Sequence, residues 1–245
     1  MKAFWWYKEN EIAGLGRPGF NLVHWLNLPF VEAVMIGWIG TYSTGQAPLE
    51  SFRKHLQTYV PRIYKFHKLD EESGPKAIKI FETHQGILDV MQGLARRTQV
   101  FSDFKIAGDD LHFTLNKKRL ATEIDFLKDK KIKRLVSLTE NHHDQEILEQ
   151  NFLLYHIAIK DLGAPEINQV KELVTQIKIA RDNQENLALH CLAGIGRTST
   201  MMMAAHILLG YDPDEVKTRL AKQNPYFALT NEQAAFLSGL LAGSP

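Results

Sequence analysis

A single cysteine, Cys191, stands in a chain of 245 residues. No disulfide within the chain is available, which fits a reducing compartment, and an oxidised Cys191 has no resolving partner. Charge of one sign is equally lacking. The 29 Lys and Arg nearly balance 28 Asp and Glu, leaving a formal net charge of +1. No global field therefore recruits nucleic acid or an anionic membrane. Long hydrophobic runs are also missing. The most apolar stretch, residues 28–39, contains Glu32 and is too short and too charged to cross a bilayer. The opening MKAFWWYKEN holds too brief an apolar run for a secretory signal. A cytoplasmic location is the expectation, with secretion that needs no cleaved signal left open.

What is present is an ordinary globular composition, 44% apolar and 23% charged, enough for a substantial core. From about residue 113 onward, strand and helix patterns alternate. Leu120, Ile124 and Leu127 share one helical face, and 131–139 (KIKRLVSLT) reads as a buried strand. A polar stretch with His142, His143 and Asp144 follows, read as a solvated loop, because adjacent histidines point apart and give no metal-ligand spacing. Residues 152–159 read as a second strand, and Pro165 as the opening of a helix with Ile167, Val170, Val174 and Ile177 inward. Strand 187–189 delivers Cys191, and the helix after Arg197 buries Met201 and Met202. Asp212-Pro213 starts the next helix, and Thr230 and Gln233 have capping-box spacing for a last one. The pattern predicts an α/β fold with a central, mostly parallel sheet flanked by helices.

Residues 1–97 differ. All four tryptophans (Trp5, Trp6, Trp25, Trp38) fall here, and two helical patterns occupy 50–96, the first with Phe52, Leu56, Tyr59, Ile63 and Phe66. Pro61 is expected to kink or interrupt that helix. The expected organisation is a catalytic region at 98–245 and an α-rich, Trp-rich region at 1–97 packed on it without a linker.

The chemistry concentrates in residues 187–198, LALHCLAGIGRT. An apolar strand ends at His190-Cys191, a glycine-containing loop follows, and Arg197-Thr198 opens an apolar helix. Such a junction points backbone N–H groups and a helix N-terminus at an anion. Arg197 adds a planar, two-pronged donor suited to a phosphoryl group. The same field favours the thiolate of Cys191, the nucleophilic form. The N–H groups of Leu192, Ala193, Gly194, Ile195, Gly196 and Arg197 are the candidate phosphate cradle, with Cys191 as nucleophile. No metal and no cofactor are expected.

The run HCLAGIGRT resembles the phosphate-binding loop of the cysteine-dependent protein phosphatases, nearest the compact dual-specificity kind. The resemblance extends over FLKDKKIKRLVSLTE (126–140) and IAIKDLGAPEINQV (157–170), the latter similar to the family's general-acid loop. In all it covers about 113–240, with a fainter echo of the opening strands in 4–20, which would make 21–112 an insertion. It implies that His190 orders the loop and favours the thiolate, and that Asp161 is the general acid, with Asp144 as the fallback. It also sets Gln233 near the attacking water, although capping with Thr230 explains Gln233 equally well. Thr198, one turn into the helix, is placed to donate to the sulfur as the thiolate departs. Ser199 departs from the pattern, standing where many relatives have glycine.

The activity this implies is hydrolysis of phosphomonoesters on phosphoprotein through a phosphocysteine. Phosphotyrosine comes first, with phosphoserine and phosphothreonine as further substrates. A phosphoinositide phosphatase is the alternative, disfavoured because relatives of that type usually carry lysine in the loop, where Leu192, Ala193 and Ile195 are neutral. An RNA triphosphatase lacks its basic stripe here, and rhodanese-type sulfur transfer needs no acid loop. A catalytically silent phosphate-recognition module is the alternative of another class. The sequence leaves the oligomeric state open.

Overall fold

The computed structural model describes residues 3–20, 28–42, 45–67 and 73–242, excluding the side chains of 58, 59, 61–67 and 73. Trp25 and the side chains of Tyr59, Ile63 and Phe66 lie outside the described residues. The backbone divides into two compact units, one of residues 1–21 with 122–245 and one of residues 22–121.

In chain order, the first unit opens with β1 (Phe4–Lys8) and β2 (Ile12–Gly16), an antiparallel pair. The second unit then holds α1 (Phe30–Ile39), β3 (Gln46–Pro48), α2 (Leu49–His67), α3 (Ser73–Ile78), α4 (His84–Thr98), β4 (Phe101–Ala107) and β5 (Asp110–Leu115). Its strands form a separate antiparallel sheet in the order β3-β5-β4. Residues 101–115, expected with the catalytic region, are thus in the second unit, which is a mixture of helix and sheet. Pro61 lies within α2, which runs on through it; the ring removes one intrahelical hydrogen bond without ending the helix. Glu32, in the apolar run of α1, is buried and pairs with Arg97 at 2.9 Å, and Trp38 packs against Phe52 with ring centroids 4.4 Å apart.

The division between the units falls inside α5 (Lys117–Asp129), whose Leu120, Ile124 and Leu127 are buried as their spacing predicts. The first unit resumes with β6 (Ile132–Ser137), α6 (Gln145–Glu149), β7 (Leu153–His156), α7 (Ile167–Asp182), β8 (Asn186–Cys191), α8 (Gly196–Leu208), α9 (Pro213–Gln223) and α10 (Asn231–Ala242). Its five-stranded sheet has the order β1-β2-β8-β6-β7, parallel throughout except for β1. The central strand β8, NLALHC, is buried along its whole length, because helices cover both faces of a parallel sheet. Gly16 pairs with Cys191, and Ser137 with His190, so β2, β6 and β8 end together at their carboxyl termini. Ligands of open α/β sheets bind at such an edge.

The caps explain where the helices start. Asp212 accepts from the N–H groups of Asp214 and Glu215 at 3.0 and 2.9 Å, with Pro213 in the first turn of α9. The start of α7 differs from expectation: Glu166, not Pro165, is its cap, in a reciprocal box with Gln169 that satisfies the first N–H groups. Met201, Met202 and Met203 are core residues of α8, which packs against α7, α9 and α10. Among the described residues no helix is long and apolar enough to cross a membrane.

Candidate active site

Cys191 ends β8, and the chain turns through 192–195 into α8. The turn is shaped by its carbonyls. That of Leu192 accepts from the backbone N–H of Arg17 at 3.0 Å, and that of Gly194 from Asn224 Nδ2 at 3.2 Å. A trans peptide points its N–H opposite to its C=O, so the N–H groups of Ala193 and Ile195 face away from Arg17 and Asn224. The N–H of Gly194 donates to Cys191 Sγ at 3.3 Å. Gly194 has φ +72°, and a Cβ there would lie 2.5 Å from the Leu15 carbonyl carbon. Only glycine meets both demands.

The Arg197 guanidinium is buried and held on two sides. Its Nη1 donates to the Ile159 carbonyl at 3.0 Å and more loosely to that of Leu138 at 3.4 Å, while Nη2 pairs with Asp161 Oδ1 at 2.8 Å. The segment after β7 therefore brings Asp161 onto the arginine of the cysteine loop. Gln233 is also brought in. Its Nε2 donates to the Gly163 carbonyl at 2.9 Å, and a Cβ on Gly196 would come within 3.1 Å of its Oε1. The capping role is present as well: Thr230 N–H donates to Gln233 Oε1 at 3.1 Å, and Gln233 N–H to Thr230 Oγ1 at 3.2 Å.

Thr198 is wholly buried, and its hydroxyl makes no hydrogen bond, to the sulfur or to any other described atom. His190 is buried beside the loop with Nδ1 3.4 Å from the Cys191 carbonyl. Burial pushes its imidazole down to about 3, and Arg17 and Arg197 further oppose its protonation, so His190 is neutral at physiological pH. His143 is a correction to the solvated-loop reading. It is buried, and desolvation together with Arg17 lowers it to about 2, while His142 is exposed and meets the His156 ring at a tilt of 51°, with centroids 3.9 Å apart. Asp144 faces elsewhere than Arg197: its carboxylate takes Arg17 Nη2 at 3.1 Å.

Two residues of the site carried no signal in the sequence. Arg17, 1% exposed, lies over the Phe20 ring at 4.5 Å while its backbone anchors Leu192. Asn224 bonds both Gly194 and, at 3.3 Å, the Ser199 hydroxyl. Ser199 thus gains a partner where the family pattern has glycine, and the buried hydroxyl is satisfied.

Residues 113–211 match the family model described as "Tc-R-P: Polymorphic toxin system, DSP-PTPase phosphatase". Over that segment the resemblance to the cysteine-dependent phosphatase superfamily, in its compact dual-specificity form, holds. Similar solved structures include Tk-PTP in its active form, 23% identical, covering 50% of this chain and 86% of that one with a TM-score of 0.46. PTPMT1 in complex with PI(5)P is 16% identical, over 49% of this chain and 83% of that one, TM-score 0.44. Human DUSP28 is 11% identical, over 49% and 86%, TM-score 0.43. The match over residues 113–211 is to a phosphatase domain, which supports hydrolysis of a phosphate ester and hence a phosphorylated substrate.

Proposed function

We propose that the chain is a protein phosphatase of the tyrosine or dual-specificity type working through a phosphocysteine, and that the unit of residues 1–21 with 122–245 carries the catalysis. The observation that supports this most is the meeting of Arg197 with Asp161 at 2.8 Å, which joins the cysteine loop to a carboxylate from a separate segment. Phosphate transfer to a thiol needs both, one group for the equatorial oxygens and one for the leaving oxygen.

In this mechanism the Cys191 thiolate attacks phosphorus as the P–O bond to the leaving group breaks, and Asp161 delivers its proton to that oxygen. The N–H groups of 192–197 and the Arg197 guanidinium stabilise the three equatorial oxygens. Water, oriented by Gln233, then attacks the phosphocysteine, Asp161 takes its proton, and the S–P bond breaks to return the thiolate. Thr198, whose hydroxyl makes no bond to the sulfur in the resting site, turns to donate to it as the S–P bond breaks. His190, neutral at working pH, holds the loop rather than moving a proton.

A protein substrate is favoured by the neutral side chains of Leu192, Ala193 and Ile195, which offer no cation to further phosphates of an inositol ring. The test is turnover of phosphotyrosine, phosphoserine and phosphothreonine peptides beside a phosphoinositide panel, with chelator present. Faster turnover of the peptides is expected. Preference for the lipids would overturn the substrate assignment, and loss of activity on chelation would overturn the mechanism.

A further inference from the structure

The acid loop is fastened by one turn of one helix. Thr230 Oγ1 donates to the Leu162 carbonyl at 3.0 Å, Gln233 Nε2 to the Gly163 carbonyl at 2.9 Å, and Glu232 Oε1 accepts from the Ala164 N–H at 3.3 Å. Three side chains at the start of α10 thus take three successive backbone positions, directly after Asp161. The loop needs holding: Leu162 has φ +63°, a left-handed conformation unfavourable for a residue with a Cβ, which persists where surrounding contacts over-determine it. Gln233 is buried and lies against Gly196 as well, so the same turn spans the acid loop and the cysteine loop.

We propose that the first turn of α10 is a strap that sets Asp161 at its working distance from the phosphoryl group, with Thr230 and Glu232 as positioning residues. The inference rests on the phosphatase reading above. Thr230 does double duty, since its hydroxyl also accepts from Gln233 N–H. Its loss therefore frees the Leu162 carbonyl and loosens the cap that aims Gln233.

In phosphocysteine formation the strap acts through the proton donor alone, whereas hydrolysis of the intermediate, which also uses Gln233, is common to every ester; the signature therefore lies in the rate of the first step. An ester with a good leaving group needs little protonation, whereas a poor one needs it fully. Thr230→Val with Glu232→Ala is expected to slow phosphocysteine formation from phenyl phosphate, read as the pre-steady-state release of phenol, roughly tenfold, as for a general acid moved off position. The same pair of changes should alter the pre-steady-state release of nitrophenol from para-nitrophenyl phosphate less than about twofold. Glu232→Ala alone, at an exposed site, covers the case in which the double variant does not fold, with a smaller change in the same ratio. Thr230→Ser keeps the hydroxyl and should retain the wild-type ratio. An equal loss in the first-step rate on both esters, or the same defect in Thr230→Ser, would overturn the strap. A second measurement separates this from the reading beneath it. Amide hydrogen exchange at Ala164 should quicken in the Glu232→Ala protein whether or not the chain turns over phosphate esters. If the wild-type chain hydrolyses neither ester, the phosphatase reading falls and exchange decides the strap: faster exchange supports it, and unchanged exchange refutes it.

Discussion

Three buried histidines of the first unit share one electrostatic situation. His190, His143 and His206 are lowered to about 3, 2 and 4, each chiefly by burial. All three lie below the ordinary value of 6.5, so between about pH 6.5 and 4 the unfolded chain binds protons that the folded chain does not. Their contribution to stability is present above 6.5 and is lost as pH falls. His206, with Nδ1 2.8 Å from the Met202 carbonyl and its ring 4.2 Å from that of Tyr7, lies among the core of α8. His206→Phe should reduce the drop in unfolding free energy between about pH 7 and 5 by about 2 kcal/mol. Urea unfolding of both proteins at the two pH values checks it, and an equal drop in both would refute the assignment. At this same scale, the strand-loop-helix junction that carries Cys191 and Arg197 was legible, because its glycines, strand end and helix start are all local signals. Arg17 and Asn224 were not. One precedes a proline and the other ends a helix, and each acquires its role only when distant chain packs against the loop.

The elements of the first unit explain the same limit. Strands β6 and β8 were readable from short apolar stretches, Leu135-Val136 and Leu187 to Leu189, and α9 from its Asp-Pro start, because burial and capping leave marks in adjacent residues. The start of α7 was misplaced because a Glu/Gln box replaces the commoner Ser or Thr signal, and β4 and β5 were missed because their faces alternate only partly between buried and exposed. The opening strands matter more than their length suggests. Residues 12–16 of β2 pair with 187–191 of β8, Leu15 backs Gly194, and Trp5, Tyr7 and Ile12 belong to the core cluster. A fragment of residues 98–245 lacks all of these. It should aggregate or unfold without cooperativity, and lose aryl phosphatase activity. A soluble fragment with a sharp thermal transition and the full-length rate would contradict the role given to β1 and β2.

For the whole molecule, sequence patterning led to the α/β class and the parallel sheet, because strand and helix alternate visibly after residue 113. The division into units did not follow from composition, since no linker or shift in charge marks residues 21 and 122. The proposed function rests on one covalent event, and that event can be observed directly. Full-length protein mixed with an aryl phosphate and quenched in acid within the first turnovers should gain the mass of one phosphoryl group, located by peptide mapping at Cys191. Cys191→Ser should keep its fold, gain no such mass and release no phenol. A phosphoryl group found on any other residue, or steady hydrolysis by Cys191→Ser, would contradict the account.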